Sequence, residues 1–107
     1  MACDRPRGVE RELRGGDANR GRAVLVRYEC GACHRIPGIS AARGNVGPGL
    51  GEFRRRPYIA GSLVNTPESL VRWLVDPPAL APETAMPAVG IDIHEARDVA
   101  AYLYTLE

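Results

Sequence analysis

Two cysteines and a histidine lie within five residues, in the segment Cys30-Gly31-Ala32-Cys33-His34. The order Cys-x-x-Cys-His is the attachment signal of a c-type haem. Residues i, i+3 and i+4 share one side of a helical turn, so each cysteine can form a thioether to one haem vinyl group, and His34 can offer a neutral imidazole nitrogen to the iron. The small Gly31 and Ala32 are expected to keep this turn open to the flat macrocycle. The motif predicts one haem c, covalently attached through Cys30 and Cys33.

Three other chemistries of the same residues are less well supported. A structural zinc site needs four ligands, and outside the motif only Cys3 and His94 remain, at poorly suited positions. A thioredoxin-like dithiol expects a strand followed by a helix, a context that this sequence lacks. A buried disulfide between the two motif cysteines would leave His34 without a role.

Met86 is the only methionine apart from Met1, and it lies in the proline-bounded segment 82–87. A thioether sulfur is a soft iron ligand, and pairing it with histidine raises the reduction potential. The alternative role is that of a flexible side chain filling a gap in the core, which a loop between two prolines serves poorly. We therefore expect His34 and Met86 as axial ligands, and we expect His94, the competing imidazole, on the surface of the last helix.

The composition fits one small domain whose core is incomplete without a prosthetic group. The 107 residues are 45% hydrophobic and 25% charged but only 6% aromatic, and so few large side chains make a thin core. No apolar run approaches the ~20 residues of a membrane-spanning helix. The formal net charge of +1 argues against a nucleic-acid-binding protein.

The charge is unevenly distributed along the chain. Residues 1–56 hold twelve arginines and six acidic residues, whereas residues 57–107 hold two arginines and seven acidic residues. A dipole of this kind can orient a protein as it meets a charged partner. The alternative is that these are solvated surface charges without a steering role.

The sequence predicts a flexible tail or tether at 1–16 and a folded domain at 17–107. Asp17 is a suitable N-cap for the first helix, and Gly21 within that helix is expected where another helix crosses close to its backbone. A Thr-Pro pair at 66–67 starts the second helix, and an Asp-x-x-Glu arrangement at 92–95 starts the last one. The predicted elements are a helix at 18–32, a loop at 35–65 wrapping the prosthetic group, a helix at 67–76, a proline-rich loop at 77–91 and a helix at 93–106, with little sign of strand.

The order and spacing of these motifs resemble those of the class I (monohaem) cytochromes c over residues 17–107. The resemblance implies an all-α cytochrome c fold, with about three main helices and loops wrapped around one covalently bound haem. It rests on the helix before Cys30, the haem-attachment motif, and the segments Val46-Gly47-Pro48-Gly49-Leu50, Thr84-Ala85-Met86-Pro87 and Arg97-Asp98-Val99-Ala100-Ala101-Tyr102-Leu103.

The resemblance also implies roles for residues around the haem. The backbone carbonyl of Pro48 would accept the second ring N–H of His34 and fix its orientation, where the alternative is a plain Gly-Pro turn. Leu50 would pack on the haem, and Trp73 with Leu74 would line the methionine side. Three residues match family positions that donate to haem propionates, namely Arg56, Tyr58 and Thr84. The alternative for the arginines at 54–56 is a solvated surface run. Gly21 and Tyr102 would meet where the first and last helices cross.

The chain departs from the mitochondrial members of that family in two ways. It has no lysine, so it lacks their lysine ring around the haem edge, and its loop from His34 to Thr66 is shorter, as in compact bacterial members. Four arginines are expected to substitute for the lysines electrostatically: Arg22, Arg27, Arg35 and Arg43.

Cys3 is left unpaired once the motif cysteines hold haem. Bacterial lipoproteins begin their mature chain at an acylated cysteine, and here a charged tail separates Cys3 from the domain. Lipidation of Cys3 and an incidental free thiol are the two alternatives. The expected localisation is the periplasmic side of a bacterial cell membrane, with the domain soluble or lipid-anchored.

The predicted function is electron transfer by a monomeric protein that is not an enzyme. Two filled axial positions leave no site for a substrate on the iron, so the haem can pass single electrons only through its edge. The expected partners are redox proteins, namely a respiratory donor complex and a terminal oxidase or reductase. The alternatives are a haem-based sensor or gas-binding domain, and the haem c domain of a larger oxidoreductase.

Overall fold

The computed structural model describes residues 15–107, and helices dominate them. The predicted all-α fold class is confirmed. All but the last two residues of the predicted tail, Cys3 included, lie outside the described residues. The helices are α1 (Ala18–Arg27), α2 (Pro67–Val75), α3 (Pro77–Leu80) and α4 (Ile93–Leu103), and a small antiparallel sheet pairs β1 (Tyr58–Ile59) with β2 (Leu63–Val64).

Helix α1 begins as predicted but ends earlier. The carboxylate of Asp17 accepts the backbone N–H of Arg20 at 2.9 Å, which is the expected N-cap bond. The predicted end at residue 32 is wrong, because Glu29 has a φ of 57° in the left-handed region, through which a right-handed helix does not continue. The haem-attachment motif therefore starts a separate 3-10 turn at Cys30–Ala32.

Both later caps also form as predicted, whereas the helix lengths differ. The hydroxyl of Thr66 accepts the N–H of Ser69 at 3.1 Å, and Asp92 and Glu95 form a reciprocal capping box. Helix α4 ends at Leu103, three residues early, because the chain after it closes i→i−3 turns. The predicted loop 77–91 begins with the short helix α3, whose two leading prolines occupy positions that need no N–H donor.

The segment predicted as a loop at 35–65 holds more regular structure than expected. It contains a 3-10 turn at Phe53–Arg55 and the β1–β2 hairpin, so the expectation of little strand needs this small correction. An isolated bridge also pairs Arg35 with Arg43. These short elements give the segment a fixed path beside the attachment motif.

Helices α1 and α4 cross with almost no space between their backbones. A Cβ at Gly21 would lie 2.5 Å from the carbonyl carbon of Asp98 and 2.9 Å from the nitrogen of Val99. Asp98 is only 8% exposed, and its side chain accepts the N–H of Asp17 at 2.8 Å and the Nε–H of Arg20 at 3.2 Å. A close crossing at Gly21 was predicted, and the structure places the backbone of Asp98 there.

Tyr102, which the family resemblance placed against Gly21, is engaged elsewhere through its hydroxyl. That group donates to the carbonyl of Pro37 at 2.6 Å and so ties α4 to the segment after the attachment motif. The apolar core lies between α1, α2 and α4 and includes Leu25, Leu70 and Val99. No helix within residues 15–107 has the length and apolar character needed to cross a membrane.

Candidate functional site

The attachment motif forms a tight turn that contains its three reactive residues, Cys30, Cys33 and His34. The N–H groups of Cys33 and His34 both donate to the carbonyl of Cys30, at 3.2 Å and 3.0 Å. This pair of hydrogen bonds closes the helical turn that the i, i+3, i+4 spacing requires. Cys30 and Cys33 are half-buried free thiols rather than a disulfide.

Burial also sets the charge state of the first cysteine. It raises the pKa of the Cys30 thiol above its ordinary value, the charge of Cys33 adds to the rise, and a backbone hydrogen bond opposes it. Cys30 is therefore a neutral thiol at neutral pH. A neutral, half-buried thiol is compatible with conversion to a thioether, in which the sulfur is also uncharged.

The segment 44–50 runs alongside the attachment motif and is bonded to it by main-chain groups. Three N–H groups donate to three carbonyls of the motif and its neighbour. The bonds join Gly44 to Gly31 at 2.9 Å, Gly47 to Cys33 at 2.7 Å, and Leu50 to Arg35 at 2.8 Å. The position of His34 is thus tied to the path of this segment.

The imidazole of His34 lies against the carbonyl that the family resemblance implied. Its Nδ1 lies 2.7 Å from the carbonyl oxygen of Pro48. Because a carbonyl only accepts, Nδ1 carries the proton, and Nε2 is the nitrogen with a free lone pair in the neutral ring. This arrangement orients the ring and increases its basicity toward a metal at Nε2.

Gly47 lets the segment approach the ring this closely. A Cβ at Gly47 would lie 2.8 Å from Nδ1 and 2.9 Å from Nε2 of His34. Any larger residue would have to displace the ring or the segment. The Gly-Pro-Gly motif is visible in the sequence, but this role of Gly47 is not, because it depends on a ring that contacts the motif from outside it.

Gly31 is restricted by a contact within the chain. It was expected to leave the turn open to a macrocycle, and in addition a Cβ there would lie 2.6 Å from both Cα and Cβ of Ala42. Its small size makes room for the chain itself. Gly44 is similarly restricted, because a Cβ there would lie 2.5 Å from the carbonyl carbon of Ala32.

The loop that carries Met86 is braced internally. The N–H of Met86 donates to the hydroxyl of Thr84 at 3.1 Å, and the N–H of Thr84 donates to the carbonyl of Ala81 at 2.9 Å. Met86 is half-buried and packs against the core. The hydroxyl proton of Thr84 is not used in the bond to Met86 and can be donated to another acceptor, as the propionate role would require.

The remaining predicted site residues differ in how closely they are held. Trp73 is 8% exposed within the core, and Leu50 is half-buried against it. Arg56 donates to the carbonyls of Gly49 and Gly51, so its guanidinium lies along the segment that holds His34.

Tyr58 is 55% exposed on β1 and its hydroxyl makes no hydrogen bond to the described part of the chain. His94 is exposed, as expected.

Three of the four arginines expected to replace the lysine ring line one groove. Arg22, Arg35 and Arg43 surround an open depression of about 750 Å³ formed with the segment 36–42. Two of them are steadied by carbonyls, Arg22 by Gly38 and Arg43 by Ser40. Within residues 15–107 none of the three has a carboxylate partner, whereas Arg27 pairs with Glu95.

The donor set fits a covalently held haem. Two free thiols, one oriented imidazole with a free Nε2 and one half-buried thioether are the groups that such a cofactor needs. A zinc centre is not supported, since residues 15–107 contain no group of three His, Cys, Asp or Glu side chains arranged around a common point.

Comparisons with known proteins agree with this assignment. The family model described as Cytochrome c matches residues 18–107. Cytochrome c oxidase subunit 2 of Alkalihalophilus pseudofirmus is 35% identical over 91 residues, which are 84% of this chain. The chain spans about a quarter of that relative, 26% of its length. This chain belongs to the cytochrome c family as a class I domain, a family that holds haem c covalently and uses it for electron transfer.

Proposed function

We propose that the chain is an electron-carrying domain in which Cys30 and Cys33 hold one haem c and His34 and Met86 are its axial ligands. The observation that carries the proposal is the 2.7 Å contact between Nδ1 of His34 and the carbonyl of Pro48. It leaves only Nε2 for the metal and fixes the ring in one orientation. The bound haem supplies a one-electron couple, which the protein tunes through these ligands.

The chain contributes rigidity around that couple. Main-chain bonds fix His34 and its segment, and the Thr84 hydroxyl braces the backbone at Met86. Since both ligand-bearing segments are held by the fold, little rearrangement is expected between the two oxidation states. This is the property that an electron carrier needs, whereas a gas sensor needs a ligand that leaves readily.

Covalent attachment is tested by acid–acetone extraction of the holoprotein. Haem should stay with the polypeptide, because thioethers survive acid. Each single variant, Cys30→Ala and Cys33→Ala, retains one cysteine. It should therefore hold the haem through one thioether at most, and its holoprotein should be less stable. Haem released intact from the unmodified protein would contradict the attachment through both cysteines.

Met86 as ligand is tested by comparing Met86→His with Met86→Ala. Histidine should keep six ligands but lower the reduction potential, because a harder nitrogen donor favours ferric iron. We expect a shift of at least about tenfold in the one-electron equilibrium, or about 59 mV. Alanine should instead allow carbon monoxide to bind quickly. An unchanged potential in Met86→His, with fast carbon monoxide binding to the unmodified ferrous protein, would favour the sensor alternative.

The proposed partners are a respiratory donor and a terminal oxidase or reductase on the outer face of a bacterial membrane. The relative named cytochrome c oxidase subunit 2 is much longer than the match, which supports a role as the haem c domain of an oxidase subunit that passes electrons onward without catalysis of its own. A free-standing carrier, with or without a lipidated Cys3, is the second form of the same proposal.

The arginine groove is the proposed docking surface for an acidic redox partner. Arg22, Arg35 and Arg43 have no carboxylate partner among the described residues, so their charges remain available to attract an acidic face. Replacing Arg35 with Gln should slow association with an acidic partner and weaken its salt dependence. Arg27→Gln is the matched control, since Arg27 is already paired with Glu95.

A further inference from the structure

We propose that Asn65 is a positioning residue for the axial histidine, acting through Arg56 on the segment that holds His34. The proposal deepens the function proposed above and rests on it. Asn65 lies between β2 and α2, outside the attachment motif, and is not itself one of the proposed haem contacts.

Asn65 uses both ends of its amide. Its Nδ2 donates to the carbonyl of Arg56 at 2.9 Å and to that of Phe53 at 3.1 Å. Its Oδ1 accepts the hydroxyl of Tyr104 at 2.7 Å. A half-buried amide that joins the 3-10 turn at 53–55 to the end of α4 is a fixed point for the backbone of Arg56.

Arg56 carries this restraint to the histidine segment. Its guanidinium donates to the carbonyls of Gly49 and Gly51, which lie just after Pro48 in the chain. The carbonyl of Pro48 is the acceptor for Nδ1 of His34. Asn65 is therefore connected through two successive hydrogen bonds, by way of Arg56, to the segment that positions the Pro48 carbonyl.

Loss of the Asn65 bonds should loosen the Pro48 carbonyl rather than remove any ligand. A weaker bond at Nδ1 makes the imidazole less basic, and a less basic ligand favours ferric iron less. The reduction potential should consequently rise. The Nδ1 proton should also exchange with solvent more readily, since its acceptor is no longer held in place.

The experiment measures both quantities on the holoprotein for Asn65→Ala, Arg56→Gln and the double variant. Proton exchange at Nδ1 of His34 is followed by NMR on the ferrous protein, and potentials are measured by redox titration. We expect Asn65→Ala to speed exchange at least about tenfold and to raise the potential by a three- to tenfold shift in the equilibrium, where tenfold is about 59 mV. In the Arg56→Gln background, Asn65→Ala should add little, as expected for residues that act in series.

Tyr102→Phe is the control for a general loss of stability. It deletes a hydroxyl that ties α4 to Pro37 at 2.6 Å, a hydrogen bond that involves none of Asn65, Arg56, Gly49 and Gly51. It should leave the exchange rate at His34 and the potential near those of the unmodified protein. Effects of Asn65→Ala no larger than those of Tyr102→Phe, or fully additive with Arg56→Gln, would overturn the proposal.

Failure of the proposed function would look different. If His34 and Met86 were not the axial ligands, the unmodified protein would lack a slowly exchanging Nδ1 proton on an iron-bound imidazole and a potential sensitive to Met86→His. If only the Asn65 proposal fails, the unmodified protein still shows both signals, and Asn65→Ala changes the exchange rate and the potential no more than Tyr102→Phe does.

Discussion

Because α1 and α4 cross so closely at Gly21, even the smallest substitution there, to alanine, is expected to lower the stability of the protein. An alanine Cβ would lie 2.5 Å from the Asp98 carbonyl carbon and 2.9 Å from the Val99 nitrogen, whereas ordinary contacts are 3.4–4 Å. The atoms it meets belong to the backbone, so no side-chain rotation relieves them. The two helices must separate by about 1 Å, a displacement that forfeits a quarter to a half of each dispersion contact.

The magnitude follows from three effects. Overpacking of this kind costs about 1–3 kcal/mol, and displacement of Asp98 weakens its bonds to Asp17 and Arg20 by about 1 kcal/mol more. Against this, alanine favours the helix over glycine by about 1 kcal/mol. We expect Gly21→Ala to lower the free energy of unfolding by about 1–3 kcal/mol.

Urea unfolding of the holoprotein, followed by far-ultraviolet circular dichroism, measures this loss as a lower midpoint with an unchanged slope. The matched control is Ala23→Gly in the same helix, where the side chain is exposed. That change should cost about 1 kcal/mol from helix propensity alone. A Gly21→Ala protein as stable as the unmodified one, or more stable, would show that the two helices can separate without loss and would refute the reasoning.

Three further predictions concern the caps, the α1–α4 link and the cofactor. Thr66→Ala should lower the free energy of unfolding by about 1 kcal/mol in the same urea assay, with Thr66→Ser close to the unmodified protein because it keeps the accepting hydroxyl. Asp98→Ala should cost about 2 kcal/mol, because it leaves the Asp17 N–H without its acceptor, and Asp98→Asn should cost less. A Cys33→Ala chain without stably bound haem should be largely unfolded by circular dichroism, since cofactor binding to the native state contributes folding free energy, and a native-like spectrum would contradict that.

The features that the sequence predicted well are local ones. The caps at Asp17, Thr66 and Asp92 each depend on a partner three residues away, which a local sequence pattern can reveal. The i, i+3, i+4 geometry of the attachment motif is equally local. The close approach at Gly21 was also predicted, because a glycine lowers the stability of a regular helix and is best tolerated where a neighbouring backbone needs the space.

The features that it missed are one local backbone conformation and a set of contacts between distant segments. Glu29 adopts a left-handed backbone conformation. The residue type glutamate gives no sign of such a conformation, so the first helix was predicted too long. The partners of Asn65 lie nine, twelve and thirty-nine residues away. Nothing in the local pattern around Asn65 indicates that its amide links the end of α4 to the turn before β1.

The position of His34 depends on the path of the main chain more than on its neighbouring side chains. Its hydrogen-bond partner is the carbonyl of Pro48, which no side-chain substitution deletes. That carbonyl is located by the main-chain bonds of segment 44–50 and by the space left at Gly47. Substitutions that shift the segment should therefore alter the proposed redox centre while leaving every proposed ligand residue in place. In a domain with so few aromatic side chains, the main-chain contacts that orient His34 also help to fix the fold, so the reduction potential and the stability of the protein are expected to change together.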